Sequence, residues 1–330
     1  MRILVLSADD VHALLSYSEC ADAMRAALIA LASGQAQQPL RTVLKPDGAA
    51  GLVALMPSYL SGADASYGLK AICITPSNPA LGLDTHQGVV LLSSGKTGEP
   101  VALLNASAVT EIRTAAVSVV ATELLARPDA DVLAVIGAGV QARAHILAID
   151  DARPLREIRV AGRDPAKARQ LAQSMHSRAP VLACSSVQQA VSGAGIVVTA
   201  TSSAVPVLER DWIEPGTHIN AVGACLPAIR ELDTATVASG VLFADRRESL
   251  LTESGDYLLA AAEAAVGPEH IRAELGELLL GVAPGRADEQ EITIFESLGL
   301  AVEDLAAAGR AYRNAVAAET GDPVGSWVNF

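Results

Sequence analysis

Aromatic residues are nearly missing from this chain of 330: three Phe, two Trp and five Tyr make up 3%, although 51% of the residues are hydrophobic. A core with so few rings must interlock Ala, Val, Leu and Ile, which suits helices laid on a parallel sheet. Cysteine is as sparse. Cys20, Cys73, Cys184 and Cys225 have neither metal-ligand spacing nor the density of a disulfide scaffold, so no metal site is expected and a reducing cytoplasm is. Basic clusters are lacking too. The 24 Lys and Arg against 37 Asp and Glu give a formal charge of -13, which argues against nucleic acid or an anionic membrane surface as a partner. No apolar run approaches membrane-spanning length, and Ile3 to Leu6 is too short for a signal-peptide core. What remains is a soluble acidic enzyme whose anionic ligands are held by a few locally placed cations.

The length exceeds what one hydrophobic core supports, so two domains are expected. Ser7 ahead of Asp9 and Asp10 marks a helix start, and Ala21, Met24, Leu28 and Leu31 recur at helical spacing up to a terminating Gly34. From Arg41 to Val101 short strand-like runs (Gly51 to Met56, Leu69 to Ile74, Gly88 to Leu92) alternate with turns, and Ser93 to Gly98 reads as a hairpin turn. Ser107 to Ala126 reads as one helix stopped by Pro128. Beyond it, Val132 to Ile136, Glu157 to Ala161, Gly195 to Ala200, His218 to Val222 and Gly240 to Ala244 alternate with Ala-rich helices. This βαβ rhythm predicts a parallel sheet covered on both faces. Past Asp245 the chain turns helical, with Phe295 to Ala318 as a closing helix.

The first strand of that rhythm runs into Gly137-Ala138-Gly139-Val140-Gln141-Ala142, a Gly-x-Gly-x-x-Ala turn at the mouth of a helix. Gly137 permits the tight turn, Gly139 admits a pyrophosphate close to the backbone, and Ala142 lets helix and sheet approach. The helix N-terminus offers amides and positive dipole to phosphate. The second strand ends at Gly162-Arg163-Asp164, where an NAD-preferring site usually carries an acid. Arg163 can pair with a 2'-phosphate, which favours NADP(H); NAD(H) stays open if Asp164 turns inward.

Met56-Pro57, Gly68-Leu-Lys70, Thr110-Glu-Ile-Arg113-Thr-Ala-Ala, Ile136-Gly-Ala-Gly-Val-Gln-Ala, His218-Ile-Asn-Ala-Val-Gly223 and Thr293-Ile-Phe-Glu-Ser-Leu-Gly299-Leu-Ala-Val-Glu-Asp304 follow in order. In this series the chain resembles the ornithine cyclodeaminase and mu-crystallin family over nearly its whole length. The resemblance implies an α/β fold in which a Rossmann doubly wound parallel sheet, residues 126–299, is inserted in a second α+β domain for substrate binding and dimerisation, residues 1–125 plus 300–330. It implies a homodimer acting on a small amino or imino acid. It also implies that Arg41, Lys70 and Arg113 hold the substrate carboxylate, with Lys70 and Arg113 the catalytic candidates. Fixed cations in that number can orient a carboxylate for hydride transfer. Thr85 falls where the family keeps a threonine close to the cofactor; Thr114, Thr201, Val222 and Gly223 complete the cofactor-binding candidates.

Ornithine cyclodeaminases proper have a Glu before Met-Pro and an Asp after the Val-Gly of the fifth Rossmann strand. Here those positions are Ala54 and Cys225, and neither supplies a carboxylate for ornithine's amines. The run from Val222 to Asp233 and Glu253-Ser-Gly-Asp256 resemble the mu-crystallin and imine reductase branch. The expected reaction is therefore reduction of a small ketimine carboxylate such as 1-pyrroline-2-carboxylate to an L-amino acid. Ornithine cyclisation, amination of an oxo acid as in alanine dehydrogenase, and non-catalytic NADPH or ligand binding stand as alternatives. His86, beside Thr85, is a further acid/base candidate; His145, in the helix after the glycine loop, reads as structural.

Overall fold

A computed structural model describes residues 2–318 and 324–329. They form two compact units, Met1–Arg113 with Leu300–Phe330, and Thr114–Gly299. The first break thus falls inside a helix, after Arg113, rather than at 125, because the N-terminal half of that helix packs with the first unit and the remainder with the second.

The first unit opens with β1 (Arg2–Leu6), α1 (Ala8–Leu14) and α2 (Tyr17–Ala32). Ser7 and Ser16 each accept from the third amide of the following helix while Asp10 and Glu19 reach back, so both helices start in capping boxes. The chain then makes β2 (Ala36–Gln37), β3 (Thr42–Leu44), β4 (Leu52–Leu60), β5 (Ser66–Ile74), β6 (His86–Ser94) and β7 (Pro100–Asn105) before entering α3 (Ala106–Leu125). In sheet order β16-β1-β7-β6-β5-β4-β2, with β3 also on β4, only β1 and β7 run parallel; β16 (Ser326–Asn329) returns from the C-terminus. Strand alternation sets the chemistry of each face. Ala54, Met56 and Ser58 are buried on one side of β4, and Met56 lies directly across from Lys70. β3 leaves β4 at Leu55 and β2 joins it at Tyr59, so the loop carrying Gln38 and Arg41 lies between the two ladders, opposite Pro57, a residue with no amide hydrogen for a ladder.

The second unit continues with β8 (Val132–Ile136), α4 (Val140–Ala152), β9 (Glu157–Ala161), α5 (Pro165–Ser174), β10 (Val181–Ala183), α6 (Val187–Val191), β11 (Ile196–Thr199), β12 (His218–Ala221), α7 (Thr234–Ser239), β13 (Val241–Ala244), α8 (Arg247–Glu253), α9 (Gly255–Ala262), β14 (Ile271–Glu274), α10 (Leu275–Leu279) and β15 (Thr293–Glu296). Every pairing is parallel, in the order β10-β9-β8-β11-β12-β15-β13-β14. This is a doubly wound sheet in which the last strand slots between the fifth and the sixth. The expected helix from Phe295 is corrected here: Phe295 lies in buried β15, Gly299 turns at φ +80°, and α11 (Ala301–Ala317) begins only afterwards. A fully buried four-residue strand has no alternation to separate it from helix. No helix among the described residues is long and apolar enough to cross a membrane.

Candidate active site

In the first unit four charged side chains from β5, α3 and α11 meet out of solvent. Lys70 is 3% exposed, Arg113 6%, Glu303 0% and Asp304 1%. Lys70 Nζ lies 2.7 Å from Asp304 Oδ2, while Arg113 donates from Nε to Asp304 Oδ1 and from Nη1 to Glu303 Oε2, both at 3.1 Å. Both acids sit in the first turn of α11, where the helix dipole favours negative charge. Glu303 also accepts the Leu300 amide at 3.2 Å. Gln38 accepts the Val302 amide at 2.9 Å, fixing the Arg41 loop to the start of α11. Arg41 itself is half-buried.

Burial pushes the Lys70 ammonium down to about 8; Asp304 opposes that shift, and the charges of Arg113 and Arg41 add to it. Burial also raises the Glu303 carboxyl against the pull of Arg113. Two buried cations, Lys70 and Arg113, thus share two buried carboxylates, one of which resists ionising, and Arg41 adds positive potential from the neighbouring loop. His86, at the start of β6, is pushed toward its neutral form by desolvation, then by Lys70 and Arg113. Ala54 shares the buried face of Lys70, so the missing carboxylate is missing from this cluster.

In the second unit β8 delivers the glycine loop to the carboxyl edge of the sheet. Gly137 has φ +133°, and a Cβ there would overlap the Ala200 carbonyl oxygen. Gly139, the N-cap of α4, has open space where a side chain would stand, and Ala142 is wholly buried. A cavity of about 730 Å³ opens here, lined by Gly137, Ala138, Gly139, Gly162, Arg163, Asp164 and Thr201 among the expected residues. Lys167, Ser202, Ser203, Val205 and Val207 also line it, and sequence reasoning missed them. Asp164 Oδ1 accepts the Ala166 amide at 2.9 Å and that of Lys167 at 3.4 Å, capping α5. Capping commits that oxygen, while Arg163 and Lys167 put two cations on the rim. A cleft with bare backbone, a helix N-terminus and two cations fits a dinucleotide.

The remaining expected cofactor residues lie outside the cavity lining. Val140 is exposed on the first turn of α4 beside Gln141. Thr114 is buried on α3, and Thr85 lies half-buried in the turn before β6 in the first unit. Val222 and Gly223 follow β12, and the Gly223 amide donates to the buried Glu231. Cys225 is half-buried against the core of the second unit, as a packing residue would be. His145 is buried, with its ring nitrogens on Gln141 O and Ser118 Oγ, and burial lowers it to about 4. No group of metal-ligating side chains occurs among the described residues.

A doubly wound sheet with a glycine-loop cavity in the second unit, with a buried cluster of charged side chains in the first, is the architecture of a nicotinamide-nucleotide enzyme. Residues 1–319 match the model of the ornithine cyclodeaminase/mu-crystallin family, and the chain belongs to that family. It is 39% identical to the ketimine reductase mu-crystallin of Mus musculus over 279 residues, 84% of this chain and 85% of that one. The structure of Thermococcus litoralis Δ1-pyrroline-2-carboxylate reductase in complex with NADH and L-proline is similar at a TM-score of 0.94 and 36% identity, covering 98% of this chain and 99% of that one. An archaeal alanine dehydrogenase dimer with bound NAD is similar at a TM-score of 0.92 and 32% identity over the whole of both chains.

Proposed function

We propose that this protein reduces small ketimine carboxylates, cyclic imines of the 1-pyrroline-2-carboxylate kind foremost, to L-amino acids with NADPH. The observation that carries this reading is the buried cluster in which Lys70 and Arg113 are held together by Glu303 and Asp304. The cofactor, when bound, supplies the hydride that with one proton turns C=N into an amine. Arg113 and Arg41 hold the substrate carboxylate and so orient the imine carbon. Lys70, with its proton held near neutrality, keeps the imine nitrogen protonated or returns a proton to it. Asp304 anchors Lys70 and Arg113 together. Arg163 and Lys167 favour a 2'-phosphate over a bare ribose. The likeness to the ketimine reductase and to the NADH and proline complex supports the reaction class, and Ala54 and Cys225 speak against ornithine.

The same reading includes a homodimer and a reducing compartment. Leu44, Leu55, Tyr67 and Val89 stand 38–61% exposed on the sheet face opposite Lys70, an apolar surface of the kind a second copy covers. All four cysteines are free thiols.

The test is NADPH oxidation by the purified protein with 1-pyrroline-2-carboxylate and its six-membered homologue, beside Lys70→Ala and Arg113→Ala. Turnover is expected with at least one imine. Losing Lys70 should slow it about 100-fold or more, the scale of an acid/base contribution. Consumption of neither imine, or sustained proline and ammonia from ornithine with catalytic NAD, would sink the proposal.

A further inference from the structure

We propose that Glu231 is a positioning residue for the nicotinamide half of the dinucleotide site, holding the exits of β11 and β12 at a fixed spacing. Glu231 is fully buried, yet no cation pairs with it in the structure's ion pairs among the described residues. Its two carboxylate oxygens are instead divided between two strand exits. Oε1 accepts the Thr201 amide at 2.6 Å and Oε2 the Gly223 amide at 2.7 Å. The backbone of the same residue extends the staple, because its carbonyl accepts the amides of Val207 and Leu208. From the other side Asp256 accepts the amides of Glu231 and Leu232, each at 2.8 Å.

Glu231 thus governs a loop whose residues line the cavity at Thr201, Ser203, Val205 and Val207. In a doubly wound sheet the halves flank the first strand. The β9 corner with Arg163 serves the adenosine ribose, and β11 and β12 lie on the opposite side of β8. The spacing is tight: a Cβ on Gly223 would overlap the Thr201 carbonyl oxygen and crowd the Glu231 carboxylate. Both oxygens accept an amide proton, an arrangement the carboxylate satisfies symmetrically. Glutamine would turn an NH2 group against one of the two amides.

The inference rests on a dinucleotide occupying this cavity, and one series of titrations separates the two ideas. Affinity for NADPH and for its adenosine fragment 2',5'-ADP is measured in the wild type, in Glu231→Gln and in Gly223→Ala. Amide hydrogen exchange at Thr201 and Gly223 is followed in the nucleotide-free protein. The expected result is a tenfold or greater loss of NADPH affinity in both variants, with 2',5'-ADP affinity held within twofold. The two amides should exchange faster in Glu231→Gln. Should that variant fail to fold, the ratio in Gly223→Ala carries the test. Equal weakening of NADPH and fragment, or no change in either, overturns the role of Glu231. A wild type that binds neither nucleotide overturns the cofactor reading instead.

Discussion

Lys70 shows what a single buried charge does to this site. Its ammonium has been taken out of water at a cost that Asp304 offsets only in part, so its proton comes off near pH 8 instead of 10.5. The sign follows directly: the cationic form prevails below about 8 and is lost above it. Binding of a non-reducible carboxylate such as pyrrole-2-carboxylate should therefore weaken as pH rises through about 8, and the step should vanish in Lys70→Ala. A flat profile from pH 6 to 10, roughly the span in which Lys70 titrates, would contradict the assignment. Asp304→Ala strands the buried Lys70 and takes one acid from Arg113, and breaking a buried pair costs about 3–5 kcal/mol; a clear drop in denaturation midpoint is expected. Lys70 and Arg113 were legible in the sequence because each lies in a short motif. Asp304 closes a motif of its own, but nothing in the sequence pairs it with Arg113, 191 positions away, and an acid in a helix's first turn ordinarily needs no partner beyond the dipole.

At the scale of elements, the turn from β8 into α4 and the corner from β9 into α5 form the proposed cofactor site. Glycine placement made the first readable: the left-handed turn at Gly137 leaves no room for a side chain. Arg163 marked the second, but Lys167 required knowing that Asp164 caps α5 and brings the next turn to the rim. Charge-assisted hydrogen bonds contribute about 1.5–3 kcal/mol each. The double variant Arg163→Ala with Lys167→Ala is thus expected to lower the NADPH to NADH preference in kcat/KM by at least tenfold. A preference that stays put would move phosphate recognition elsewhere. The strands the sequence concealed, β10, β14 and β15, have three or four residues each, too few to show a period; the equally short β11, β12 and β13 were read from their place in the βαβ rhythm. The long helix α3 was plain, but nothing in its composition signals that the boundary between units falls after Arg113.

For the whole molecule, a formal charge of -13 sets a background that repels both an anionic substrate and a nucleotide. The proposed recognition depends on two local groups of cations, one in each unit. Composition argued only that few cations are available for that work. It said nothing of how the acids of α11 keep those cations together in the fold. The uncovered apolar face of the first sheet leads to an expected dimer mass by light scattering, with Tyr67→Glu shifting the population toward monomer. The central claim, hydride delivery to an imine carbon, is tested most directly by isotope. Reduction of 1-pyrroline-2-carboxylate with NADPH deuterated at the transferable nicotinamide position should give L-proline carrying one deuterium at Cα. Unlabelled proline, or no proline at all, would contradict it.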